Sequence, residues 1–86
     1  MDKKLRRELR SKGQAMKPTV IVGKEGISES VVMELDRQSK KMKLVKVRVL
    51  HTPEEGIEDF AARLASASHS DLVETRGKTV LLHRER

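Results

Sequence analysis

Residues 44–50 read Leu-Val-Lys-Val-Arg-Val-Leu, a strict alternation that suits only an extended strand. Successive side chains point to opposite faces of a strand, so Val45, Val47 and Val49 share one side and Lys46 and Arg48 the other. The expected sheet face on the valine side is packed, and the opposite face is basic and wet. A strand with one packed face needs partners, and the rest of the chain has to supply them.

Upstream, Leu5 and Leu9 lie four apart among Lys3, Lys4, Arg6, Arg7, Arg10 and Lys12, a narrow apolar stripe on a basic helix that Gly13 is expected to end. Lys17-Pro18 breaks helical continuity, and Thr19-Val20-Ile21-Val22 is a β-branched run that reads as a buried strand ending at Gly23. Ile27, Val31, Leu35 and Met42 then recur at helical spacing, predicting a helix to about Lys41 whose other face carries Arg37, Lys40 and Lys41. Thr52-Pro53-Glu54-Glu55 has the form of a capping box and predicts that the next helix opens there, with Ile57, Phe60, Ala61, Leu64 and Ala65 buried. Leu72–Arg76 and Thr79–Arg84 are β-prone runs joined by Gly77-Lys78, a link that suits a hairpin with glycine at positive φ. The order α-β-α-β-α-β-β predicts a two-layer α/β sandwich with a mixed four-stranded sheet, in one domain spanning residues 1–86.

Charge narrows the choice of partner. The first 48 residues hold 14 basic and 6 acidic side chains and the remainder 5 and 7, for a net +6 that favours a polyanion. Glu54, Glu55, Glu58 and Asp59 would repel phosphate, so the third helix is expected to face away from one. With no cysteine there is no disulfide, thiolate metal site or cysteine nucleophile. No apolar run approaches the ~20 residues that span a bilayer, no signal core follows the basic N-terminus, and the expected location is the cytoplasm. The weak stripe of the first helix, without Trp or Phe, argues against a membrane-surface role.

Gly23-Lys24-Glu25-Gly26 joins a strand to a helix whose first-turn N–H groups lack intrahelical partners, and glycines allow close approach of a phosphate backbone. Taken alone, the four residues also fit an ordinary strand-to-helix turn; Ser28 is the expected N-cap. Arg76-Gly77-Lys78-Thr79 ends like a nucleotide-binding loop, but Leu72 stands where that motif needs glycine and a strand follows where it needs a helix, so nucleotide hydrolysis is rejected. As a hairpin tip it can still offer Arg76 and Lys78 to phosphate. His51, His69 and His83 show no metal-ligand spacing and read as surface residues near element ends, and no metal, cofactor or catalytic constellation is expected. Phe60, the one aromatic, belongs to a helical core stripe, which speaks against base readout by stacked aromatics.

Taken in order, the basic helix, Lys17-Pro18, the Val/Ile strand, Gly-Lys-Glu-Gly-Ile at 23–27, the Leu-Val-Lys-Val strand and Gly77-Lys78-Thr79-Val80-Leu81-Leu82-His83-Arg84 resemble the CRM domain, named for chloroplast RNA splicing and ribosome maturation. The resemblance implies a fold similar to the C-terminal domain of translation initiation factor three and a GxxG loop similar to that of KH domains. Stand-alone, YhbY-like members look like assembly factors on precursors of the large ribosomal subunit, and plant members act in group II intron splicing. It also implies RNA contacts at Gly23, Lys24, Glu25 and Gly26, with Lys17 beside them; His83 departs from the pattern, where many relatives have Tyr. Together with Lys12, Arg76 and Lys78 these form the expected RNA-binding set. The expected function is rRNA binding in ribosome biogenesis without catalysis; the alternative is a module docking on another assembly factor through its acidic helix or the apolar side of helix 1.

Overall fold

The computed structural model describes residues 1–84. In chain order the elements are α1 (Lys3–Ala15), β1 (Val20–Val22), α2 (Glu29–Lys41), β2 (Leu44–Val49), α3 (Ile57–Ala67), β3 (Asp71–Arg76) and β4 (Thr79–His83). The expected α/β order and mixed four-stranded sheet are both present. The strands lie side by side as β1-β2-β4-β3, with β1 parallel to β2 and the other two pairings antiparallel. β4 thus fills a gap left between β2 and β3.

Alternation in β2 sorts the core. Val45, Val47 and Val49 join Val20, Val22, Val80 and Leu82 on the face covered by α2 and α3, where Leu35, Phe60, Ala61 and Leu64 complete a continuous cluster. Burying a side chain of this size contributes roughly 1.5–3 kcal/mol, so this face holds most of the stability. The opposite face is not the wet surface expected. α1 lies across it, and Leu9, Leu44, Val73 and Leu81 form a second, smaller core with Leu5 and Met16 at its border.

Lys46 shows why that expectation failed. Its Nζ donates to the backbone carbonyls of Gly13 at 3.0 Å and Met16 at 3.2 Å, placing a cation on the negative end of the α1 dipole. Asp2 caps the other end, accepting from the Leu5 amide at 2.7 Å. Gly13 does not end the helix; it is buried inside it, because a Cβ there would lie 2.3 Å from Leu81 Cδ2. The missing side chain lets α1 rest directly on β4.

Three other expectations are corrected. Thr52-Pro53-Glu54-Glu55 does not open α3: Gly56 N–H returns to Pro53 O at 3.0 Å, and Gly56, at φ 91°, is the N-cap. A glycine three residues past Pro53 disfavours the helix the capping box would start, so the chain turns first. Met42 has left the α2 stripe, since its backbone is extended and its side chain 40% exposed. The strand after Pro18 is an edge strand with only Val20 and Val22 buried, and Ile21 faces outward. A buried Gln38 fixes that edge: its amide donates to Thr19 O at 3.0 Å and its carbonyl accepts from Thr19 Oγ1 at 2.6 Å.

The basic outer face of α2 is largely neutralised. Arg37 pairs with Glu34, and Lys40 with Asp36 at 3.3 Å. Arg84, following β4, donates to Asp36 at 2.8 Å and to the Ser68 carbonyl at the end of α3, bracing both helices against the sheet. Hydrogen bonds from Arg37 and Gln38 hold the Glu34 carboxyl below its ordinary 4.5, and those from Arg84 and Lys40 hold Asp36 below 3.8.

Two outcomes are expected. Gly13→Val should destabilise the fold by about 1–3 kcal/mol in urea denaturation through overpacking against Leu81, and Leu81→Ala in the same chain should cost less than the sum of the two. Because the folded carboxyls titrate below their unfolded values, the stability they add is present above about pH 4 and fades as pH falls through the lowered values. Asp36→Asn should therefore leave a shallower loss of stability on acidification, read from melting temperatures between pH 5 and 2.

Candidate nucleic-acid interface

Val22 ends β1 with its carbonyl accepting from Leu50 N–H at 2.9 Å, and on the other side of β2 the Val49 amide donates to Lys78 O at 2.7 Å. Two backbone bonds thus bind the GxxG loop and the β3–β4 hairpin to the exit of one strand. The loops stand two strand spacings apart, roughly 10 Å. Nothing in the local sequence joins residue 24 to residue 78; the register does.

Within the loop, Gly26 N–H donates to Gly23 O at 3.1 Å, closing a turn with Lys24 and Glu25 exposed at its tip. Gly26 has φ 72°, a conformation side chains rarely adopt, and a Cβ there would meet Phe60 of α3 only at 3.9 Å. Gly23 differs. Its φ is ordinary and a Cβ would meet nothing within 4 Å, so its bareness serves the space outside the protein. Ser28 caps α2 as expected, its hydroxyl accepting from Val31 N–H at 3.3 Å, while the amides of Glu29 and Ser30 fall outside the helical ladder. The hairpin also forms as expected, with Gly77 at φ 58° and Thr79 Oγ1 donating to Arg76 O at 2.7 Å.

Arg48 is the residue the site reading missed. It pairs in register with Ile21 of β1 and Thr79 of β4, and Thr79 pairs in turn with Arg76 of β3, so both arginines share the sheet face that carries α1. Both are exposed. The alternation of β2 already set Arg48 opposite the valines; its register to the hairpin was not legible. Lys24, Arg48, Arg76 and Lys78 therefore gather at one end of the sheet. Lys12 and Lys17 do not: Lys12 borders Leu44 and His83 at the far end of β2 and β4, and Lys17 is exposed in the α1–β1 link.

The acidic segment is nearer than expected. Gly56 begins α3 at the same end of the sheet, and Phe60 of its first turn lies under Gly26. Glu55 pairs with Arg63, while Glu54, Glu58 and Asp59 are exposed on the helical side. A polyanion reaching Lys24 meets repulsion from that side and attraction from the sheet side, where Arg48, Arg76 and Lys78 stand. The loop has one favourable direction of approach.

His83 is not a surface residue. It is 6% exposed, and its Nδ1 is buried with no hydrogen-bond partner among the described residues. Among those residues no cluster of three or more His, Asp or Glu is placed to share a metal ion, and no helix is long and apolar enough to cross a membrane.

Comparison with known proteins agrees with the sequence resemblance. Residues 1–84 match the family model described as the CRS1 / YhbY (CRM) domain. The chain is 37% identical over 82 residues to Probable RNA-binding protein YqeI of Bacillus subtilis, covering 95% of this chain and 85% of that one. It is 40% identical over 85 residues to a probable RNA-binding protein of Methanocaldococcus jannaschii, covering 96% of this chain but 63% of its longer relative. The solution structure of a hypothetical protein from Staphylococcus aureus superposes with a TM-score of 0.87 at 30% identity, covering 100% of this chain and 90% of that one.

The two loop glycines should separate in a stability assay. Gly26→Ala should lose about 1–2 kcal/mol to backbone strain, whereas Gly23→Ala should unfold within error of wild type.

Proposed function

The chain belongs to the CRS1/YhbY (CRM) family, and from that premise we propose that it binds RNA at the end of the sheet where the GxxG loop meets the hairpin. The juxtaposition of Lys24, Arg48, Arg76 and Lys78 at one end of the sheet, with the exposed Glu54, Glu58 and Asp59 at the α3 entry, is the observation that carries this reading. Residues 1–86 act as one RNA-binding unit. Lys24 supplies charge at the loop tip, Gly23 and Gly26 let a sugar-phosphate backbone lie close, and Glu25 limits how deeply a phosphate settles there. The arginines and Lys78 continue the cationic track across the sheet. Lys17 and Lys12 extend it along the α1 side to more distant phosphates. These contacts neutralise phosphate and read little sequence.

The finer reading is that the RNA is rRNA in precursors of the large ribosomal subunit, with the protein acting in the cytoplasm as an assembly factor and not as a catalyst. The names of its relatives support RNA as partner. The likeness to stand-alone family members supports the ribosomal setting.

Binding to rRNA fragments across a salt series tests this directly. With about four phosphates contacted, the log–log slope should be near 3, and Arg48→Ala or Lys78→Ala should each reduce it by about 0.7. Gly23→Leu should fold as wild type yet bind at least tenfold more weakly, since the new side chain occupies only space outside the protein. A flat salt dependence, or a folded Gly23→Leu that binds normally, would sink the proposal. In sucrose gradients the wild type should travel with large-subunit precursors and Gly23→Leu should not; retention of Gly23→Leu, with loss on Glu54→Lys plus Glu58→Lys, would favour docking on a protein.

A further inference from the structure

At the end of the sheet away from the GxxG loop, α1 and the strands do not close completely. A groove of 530 Å³ remains, walled by Leu9, Met16, Met42 and Leu44. That volume lies within the roughly 300–1,000 Å³ of small-ligand pockets. Lys12 and Lys43 border it, both exposed, and no acidic side chain among the described residues lines it.

His83 also lines this groove, 94% buried by its 6% exposure, with no side-chain hydrogen bond to any described residue. Buried polar groups almost always have partners, so an imidazole without one marks the place of a missing partner. The last torsion of histidine is broad and two-fold, and a half-turn exchanges the buried ring edge for the one at the groove.

We propose that the groove takes a single unstacked nucleobase of the bound RNA, with its edge hydrogen-bonded to His83 and an adjoining phosphate on Lys12 and Lys43. The proposal rests on the RNA-binding reading and extends it to a second point of contact. Phosphate alone would gain nothing from walls of Leu and Met, and a flat heteroaromatic ring buries against both. A second copy of this chain would bring its own +6 charge against the two lysines. The protein's one Phe, Tyr or Trp side chain, Phe60, is in the core, so no large aromatic ring at the surface offers a splayed base a stacking platform. Four residue steps along β2 lead from Leu44, paired with His83, to Arg48, paired with Thr79, which puts the groove roughly 13 Å from the cationic end.

Methyl NMR on protein labelled at methionine provides the test, because Met16 and Met42 report on the groove while Met33, 64% exposed on α2, serves as an internal control. A mixed-sequence single-stranded hexaribonucleotide should shift the Met16 and Met42 methyls and leave Met33 in place, and inorganic polyphosphate should not reproduce this. His83→Phe keeps the ring and removes the hydrogen bond; it should melt no lower than wild type and bind the hexamer about three- to tenfold more weakly with an unchanged salt slope. Met42→Glu, at an exposed position, should weaken binding several-fold where Met33→Glu does not. Shifts confined to the Lys24 and Gly26 amides would overturn the groove but leave the RNA reading intact, and no shift anywhere would remove both. Equal shifts with polyphosphate, methyl shifts that follow protein concentration without RNA, or full-strength binding by both groove variants would each overturn the base site.

Discussion

β4 enters the sheet between β2 and β3, so its five residues carry backbone hydrogen bonds on both edges and side chains into both cores. Val80 and Leu82 complete the cluster under α2 and α3, while Leu81 is the surface on which α1 rests. The same insertion brings Lys78 to the exit of β2, beside the GxxG loop, and sets His83 next to Leu44. Remove this strand and β2 and β3 share no partner, α1 loses its seat, and the two loops have no common anchor. Such pairing is non-local, and its loop-closure entropy is recovered only when the strand is in place.

Charge follows the same division of the sheet. Positive groups outnumber negative ones on the chain, yet most of those on α2 are tied up with Glu34 and Asp36. Lys46, half-buried under α1, serves a helix terminus. What remains for a polyanion is the exposed basic face of α1 and a set at the loop end of the sheet selected by register, and the exposed carboxylates of the α3 entry give that set a direction. A net charge of +6 says only that a polyanion is favoured; the side from which it comes depends on pairings scattered through the fold.

Most of the architecture was legible from sequence because two periodicities dominate it. Alternation named β2, and the four-residue spacing of Leu5 with Leu9 and of Ile27, Val31 and Leu35 named the first two helices. The GxxG turn and hairpin were readable from their glycines. Three of the failures share a cause: each turns on a contact made across the sheet. Gly13 reads as a terminator until Leu81 is placed against it, the Lys46 face reads as wet until α1 covers it, and His83 reads as a surface group until β4 lies between two strands. The capping-box reading failed locally, where Gly56 outweighed Thr52. Arg48 escaped the site reading because its importance lies in register with Thr79, which no spacing within one strand reveals.

The two cores differ in size, and that asymmetry has a consequence for motion. Four buried side chains hold α1, against twelve on the other face. Native-state opening favours the cheapest cooperative unit, and the smaller core makes α1, lifting as one body from an otherwise intact sheet, the unit expected to open first. Its amides should exchange with solvent water faster than those of β2 and β4, and each such opening frees Lys46 from its two carbonyls and bares Leu81. The folded protein is thus a sheet with one basic helix held by the smaller of its two cores.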